Sequence, residues 1–220
     1  MNLEHMQFWR LDTQKFVAMH LDDQILSCVY LTGKYPDVQI SGYQIFELGP
    51  KIVHGLILDN PTSLKNHIVS FIKKYHLDIV PCGLILAGPT ILENLNYHIS
   101  NNLNNLAEHK FSRFYISSLG HKISSSLAQN WSYCAYIPIG ITLQYQLVFI
   151  QQHLNLTGIT SHNGALLGLV KISDFKITSD LKQLVVCANS EFRFGANFNL
   201  AEQQILLACL GLYVSRGDYE

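Results

Sequence analysis

Between Phe16 and Pro89 short apolar runs alternate with turn-forming clusters, in an order that predicts three strands, a loop, an amphipathic helix and a fourth strand. Phe16–Leu21 and Gln24–Leu31 flank Asp22-Asp23 as a hairpin, Gly33-Lys34-Tyr35-Pro36-Asp37 reads as a second turn, and Val38–Glu47 as the third strand. A loop runs from Gly49 to Pro61. Thr62 or Asn60 then caps a helix whose Leu64, Ile68, Phe71, Ile72 and Tyr75 recur at helical spacing and form one apolar face. Ile79–Ala87 is a nearly continuous apolar run around Pro81-Cys82-Gly83, the pattern of a buried strand.

Beyond Pro89 the pattern predicts a second helix over Ile91–His109, with Ile91, Leu92, Leu95, Ile99, Leu103 and Leu106 on one side and asparagines on the other. Asparagine forms helix poorly, so its edges should fray. Phe111–Leu119 and Trp131–Pro138 read as strands, Leu143–His153 as a helix and Leu154–Thr160 as a strand. Ser161 is placed to cap a short helix through Val170. Leu184–Ala188 and Glu191–Phe198 read as strands and Ala201–Ser215 as a closing helix. The chain divides into 1–90, 91–160 and 161–220.

Composition narrows the classes. Charged residues are 14% of the 220 and hydrophobic ones 48%, so Asn, Gln, Ser, Thr and His carry much of the surface. A formal net charge of -1 offers no long-range attraction for nucleic acid or an anionic membrane. Cys28, Cys82, Cys134, Cys187 and Cys209 are scattered, without a C-x-x-C pair, and read as reduced core thiols of a cytosolic protein. No apolar stretch suits a signal peptide, and none approaches the roughly 18 residues of a spanning helix. Membrane association is therefore expected only through a partner.

Candidate chemistry is thin. His54, His67, His76, His98, His109, His121, His153 and His162 show no H-x-x-x-H and no helical carboxylate pairing, and solvated or capping roles account for them better than a metal. Asp22, Asp23, Asp59 and Asp78 could hold two metals in a ribonuclease-H-like nuclease, yet turn chemistry explains the first pair and helix entry explains Asp59. Ser124-Ser125-Ser126 lacks a G-x-S-x-G elbow and reads as loop. Trp131, Tyr133, Tyr136 and Tyr145 fit strand-surface packing more simply than a recognition surface.

The hairpin pair, the string Val53-His54-Gly55-Leu56-Ile57-Leu58-Asp59 before the helix, and the strand ending Ile85-Leu86-Ala87-Gly88-Pro89 together resemble the first subdomain of the PilM-like proteins, actin-like cytoplasmic proteins of type IV pilus and DNA-uptake pilus assembly. Tyr136-Ile137-Pro138, Leu143–His153 and Leu156-Thr157-Gly158-Ile159-Thr160 are similar to the segment leaving that family's inserted subdomain, and Leu207-Ala208-Cys209-Leu210-Gly211-Leu212 to its closing helix. The resemblance implies an α/β (α+β) chain, an actin-like or ribonuclease-H-like half-domain with an inserted subdomain at 91–160. The second lobe is expected to be truncated, since about 50 residues follow Val170.

The departures from that family matter as much. Nucleotide-binding members place an acidic residue, a glycine and a hydroxyl residue at the first hairpin, because backbone amides approach phosphate only where side chains do not block them. His20-Leu21-Asp22-Asp23-Gln24 has no glycine and two carboxylates that repel a triphosphate, and Arg193-Phe194-Gly195 is no phosphate loop. A degenerate ATP-binding scaffold is expected, with no catalytic residue, cofactor or metal. The resemblance further implies a cytoplasmic protein peripheral to the inner membrane, docking the cytoplasmic N-terminal peptide of an inner-membrane pilus assembly protein; separately, a homo- or hetero-oligomer that covers the truncated second lobe is a further option. Its groove would use Gly55, Leu56 and Ile57, the strand at Cys82, Gly83 and Leu84, and the facing strand with Tyr133, Tyr136 and Pro138. The alternatives are a nucleotide-dependent actin-like switch and the metal-dependent nuclease.

Overall fold

The structure is a computed structural model. It describes residues 14–34, 38–77, 80–98, 114–117, 130–170 and 198–215, with backbone only for 94–98, 114–117, 130–134 and 170. Strands β1 (Lys15–Leu21), β2 (Ile25–Thr32) and β3 (Gln39–Glu47) form an antiparallel meander. β6 (Pro81–Leu86) joins β1 in parallel, and β10 (Asn155–Ser161) joins β6 in parallel. The order across this sheet is β10-β6-β1-β2-β3. β1 and β6 are central and covered on both faces, which is why their sequences read as unbroken apolar runs.

Helices cover both faces. On one lie α1 (Pro61–Tyr75) and α2 (Ile139–Gln151), where Val17, Met19 and Leu21 of β1 meet Leu64, Ile68 and Phe71 of α1 and Tyr145, Val148 and Phe149 of α2. On the other lie α3 (His162–Val170) and α4 (Leu200–Ser215), which close over Phe16, Ala18 and Ile85. The α1 start is fixed by Asn60, whose side chain accepts from the Ser63 amide at 3.0 Å, with Pro61 in the first turn. α3 starts as expected, the Gly164 amide donating to Ser161 Oγ at 3.1 Å. α4 opens on a reciprocal cap, Glu202 N to Asn199 Oδ1 at 2.9 Å and Asn199 N to Glu202 Oε2 at 2.8 Å.

α3 and α4 touch through glycine. A Cβ at Gly211 would stand 2.0 Å from the Ala165 carbonyl oxygen, and one at Gly168 would stand 2.2 Å from the Gly211 carbonyl oxygen. The two backbones approach closely only because neither residue has a side chain.

A second, three-stranded sheet has the order β7-β9-β8, from β7 (Leu92–His98), β8 (Phe114–Ser117) and β9 (Asn130–Pro138). Here the sequence expectation is corrected: the start of the expected helix Ile91–His109 is strand. Leu92 pairs with Tyr136 and His98 with Asn130 along β9. Leucines at helical spacing suggested the helix, but Asn94, Asn96 and His98 alternate with Leu95 and Tyr97 at period two, and asparagine resists helix. Residues 99–113 of that expectation, and the expected strands at 184–188 and 191–197, lie outside the described residues. Within the span expected for the inserted subdomain, α2 and β10 return to the main sheet, and β7, β8 and β9 form the separate one.

The loop Gly49–Pro61 holds a miniature hairpin, β4 (Val53–His54) and β5 (Ile57–Leu58). Among the described residues no helix is long and apolar enough to cross a membrane. Cys28, Cys82 and Cys209 are free and buried, as expected of core thiols. Burial pushes the Cys82 thiol up to about 12 and the other two upward as well.

Candidate partner-docking site

The β4–β5 hairpin turns through Gly55 and Leu56, both with left-handed backbones at φ of 56° and 65°. A two-residue hairpin loop favours positive φ at both positions, and a leucine there is strained. Five hydrogen bonds from four side chains hold the hairpin. Asp23, in the β1–β2 turn, accepts from the Gly55 amide through Oδ2 and from the Leu56 amide through Oδ1, each at 2.9 Å. Thr90 Oγ1 donates to the Gly55 carbonyl at 2.9 Å, and Tyr145 of α2 donates its hydroxyl to the Leu56 carbonyl at 3.0 Å. Gln144 Oε1 accepts from the Leu58 amide at 3.0 Å. Burial, and after it the Asp23 charge, push the Tyr145 phenol upward, so it remains a donor.

The neighbouring Asp22 is also engaged. Its Oδ1 accepts from the Gln24 and Ile25 amides at 2.7 Å each, an Asx turn closing the hairpin. Both turn carboxylates therefore face backbone amides of this chain. Among the described residues no three His, Cys, Asp or Glu side chains cluster as a metal site.

The sequence-derived groove residues divide in the structure. Leu56 is buried, its side chain beside Gly88, whereas Ile57 at the hairpin tip is 49% exposed. Gly55, Tyr136 and Pro138 are half-buried, and Pro138 leads directly into α2. Cys82 and Leu84 lie inside the core between the sheet and α1 and α2, beneath the surface a docked segment would touch. For Tyr133 only the β9 backbone is described, paired with Leu95. At the rim Ile139 and Leu143 of α2 are half-exposed. The surface part of the set is thus Gly55, Ile57, Tyr136 and Pro138.

A second polar feature marks the carboxyl ends of the parallel strands, the usual ligand end of an open α/β sheet. Buried Ser27, His20 and Thr160 cross the sheet in one row, through the register pairs Ser27 with His20, His20 with Ile85, and Ile85 with Thr160. His20 Nε2 lies 3.0 Å from Nδ1 of His162, the first residue of α3, with the rings edge to face. Asn163 donates to Glu93 of β7. Burial first, then the His162 charge, lowers His20 from 6.5 to about 3; burial lowers His162 against the opposing pull of Glu93.

Unfolded histidines take up protons below about pH 6.5, while His20, lowered to about 3, does not, so the unfolded state binds more protons and stability falls as pH drops. The expected loss from His20 alone is about 1.4 kcal/mol per pH unit below 6.5. Melting temperatures from pH 7 to pH 4.5 check this, and a His20→Phe variant should show a shallower fall.

The sequence marks Asp23, Tyr145 and His162 only as candidates for other roles, and it does not single out Thr90, Gln144 or the partnering of His20 with His162. A polar residue inside the run Phe16–Leu21 was the available signal for His20, since buried polar side chains require partners.

No family model matches the chain, and no curated protein does. Among solved structures, the PilM-PilN type IV pilus biogenesis complex contains a chain similar over 91% of this one and 71% of its own length, at a TM-score of 0.53 and 9% identity. The fold is actin-like. The cytoplasmic domain of EpsL, an inner membrane component of the type II secretion system of Vibrio cholerae, is similar over 69% of this chain at a TM-score of 0.45 and 9% identity. This chain spans 57% of that domain's length. A protein of unknown function with an actin-like ATPase fold from Bacteroides thetaiotaomicron is similar over 73% of this chain and 56% of its own, at a TM-score of 0.41 and 11% identity. Identities this low concern the actin-like fold alone.

Proposed function

We propose that the chain is a non-catalytic component of a type IV pilus or related secretion or DNA-uptake machine, docking the cytoplasmic N-terminal segment of an inner-membrane assembly protein. The observation that carries this reading is the braced hairpin: five hydrogen bonds from Asp23, Thr90, Gln144 and Tyr145 hold a strained turn, with Ile57 half exposed at its tip. A fixed apolar anchor is what peptide recognition needs, because a pre-ordered surface loses little entropy on binding. Asp22 and Asp23, the residues a nucleotide switch would need, are engaged in turn and hairpin bonds. The protein would then sit at the cytoplasmic face of the inner membrane through this partner, without a cofactor or nucleic acid.

The test uses fluorescent peptides of the cytoplasmic N-terminal segments of the inner-membrane pilus and secretion assembly proteins encoded in the same genome. One should bind with micromolar affinity, and Ile57→Asp, at a half-exposed site, should weaken it about tenfold or more without lowering the melting temperature. Binding by none of them, or binding indifferent to both Ile57→Asp and Tyr136→Ala, would refute the docking site.

A further inference from the structure

The three-stranded sheet is joined to the main one at one end. The chain enters it through Ala87-Gly88-Pro89-Thr90-Ile91, between β6 and β7, and leaves through Pro138 straight into α2. Its apolar attachment lies at the same end, where Ala135 of β9 is buried with α3 and α4 and Ile137 with α1 and α2. β9 is nine residues long, about 26 Å from Pro138 to Asn130 at about 3.3 Å per residue, so a swing of roughly 10° at the joint moves its far end by about 4–5 Å. A side-chain hydrogen bond crosses this joint. Glu93 stands opposite Ala135 in the β7–β9 ladder, and its Oε2 accepts from the side-chain amide of Asn163 in the first turn of α3. The post is firm: His162 meets His20 of β1 at 3.0 Å, the Gly164 amide donates to Ser161 Oγ at 3.1 Å, and Gly168 packs against the Gly211 backbone. Helix chemistry does not ask for Asn163, since asparagine forms helix poorly and a first turn favours a carboxylate. An amide donor suits the carboxylate it meets.

We propose that Glu93 and Asn163 form a clasp that sets the angle of the three-stranded sheet on the main one, and with it the position of Tyr136 and Pro138 relative to the β4–β5 hairpin. Apolar burial of Ala135 and Ile137 holds the sheet on but is non-directional, whereas a hydrogen bond to an ionised carboxylate is directional and about twice as strong as a neutral one. The connector ties the same joint to the hairpin: Thr90 Oγ1 donates to the Gly55 carbonyl at 2.9 Å, and a Cβ at Gly88 would stand 3.2 Å from the Leu56 side chain. Within the span Gly88–Glu93, therefore, one part grips the hairpin and the last residue grips α3. The consequence for peptide binding rests on the docking reading above; the clasp itself does not.

Pulsed electron paramagnetic resonance on the full chain reads the angle as a distance. Spin labels are carried on ketone-bearing unnatural residues at Thr62, exposed on α1, and at Asn130, so the native cysteines stay untouched. The expected wild-type result is one narrow distance distribution. Asn163→Asp sets two carboxylates against each other and should shift or broaden it by several Å. Aspartate suits the first turn of α3, so the circular dichroism should be unchanged. Adding Glu93→Gln to Asn163→Asp rebuilds the bond with donor and acceptor exchanged, and the narrow distribution should return. A distribution indifferent to Asn163→Asp, or one that the double variant fails to restore, overturns the clasp. Affinity for the docking peptide should fall about threefold or more in Asn163→Asp and recover in the double variant; a distance change without an affinity change overturns the link to docking. Because the distances are read without peptide, a restored distribution in a protein that binds none of the peptides supports the clasp and refutes only the docking reading.

Discussion

Replacing Gly211 by alanine is expected to cost about 3 kcal/mol, the upper range for overpacking, because the new methyl would stand 2.0 Å from a main-chain oxygen of α3. A backbone atom cannot rotate aside, so the helices must separate, and with them the contacts of Leu166, Leu169, Leu207 and Leu212 with the sheet. In a chain of this size the expected fall in melting temperature is about 6–12 °C. Gly168→Ala should behave similarly, its methyl 2.2 Å from the Gly211 carbonyl oxygen. Gly140→Ala is the control: nothing lies within 4 Å of its Cβ position in α2, and the melting temperature should be unchanged or slightly higher. Thermal denaturation followed by circular dichroism decides, and a Gly211→Ala protein as stable as Gly140→Ala would contradict the α3–α4 packing.

The second large effect is expected at Asp23. Its two carboxylate oxygens each accept one amide of the strained Gly55-Leu56 turn, and hydrogen bonds to a charged group contribute about 1.5–3 kcal/mol apiece. Asp23→Ala leaves both partly buried amides without their acceptor, and a loss of about 2–4 kcal/mol is expected. Asp23→Asn keeps the shape and one acceptor oxygen, so it should lose about half as much. Hydrogen exchange supplies the local readout: the Gly55 and Leu56 amides should exchange faster in Asp23→Ala, with the β1 and β6 amides little changed. A ligand-binding carboxylate with no structural role would behave oppositely, its removal leaving stability untouched.

Much of this architecture was legible because burial and local chemistry agree. Phe16–Leu21 and Pro81–Leu86 are apolar runs that become central strands, Asn60-Pro61 and Ser161 are caps beside apolar segments that become helices, and Asp22 closes the hairpin its position suggested. β7 reads as helix from the sequence because six apolar residues match a helical period, while the partner that makes the segment a strand lies some forty residues away on β9. The β4–β5 hairpin reads as loop from the sequence, although Gly55-Leu56 between Val53-His54 and Ile57-Leu58 is a two-residue turn signal.

The candidate site was legible only in outline. Its chain segments could be named, but which side chains reach the surface depends on which sheet face each strand residue takes, and that placed Cys82 and Leu84 inside and Ile57 outside. The Asp23 bridge spans 33 residues and the His20–His162 contact 142, distances over which local patterns carry no information.

That the hairpin end of the sheet is a structural joint serving a docking scaffold, not a phosphate cradle, is tested most directly by thermal unfolding with and without millimolar Mg-ATP. A ligand at 100 times its dissociation constant adds about 2.7 kcal/mol, several degrees in a chain of this length. Superimposable curves are predicted. A clear upward shift that disappears in Asp22→Ala would contradict the account and make the protein a nucleotide-dependent switch.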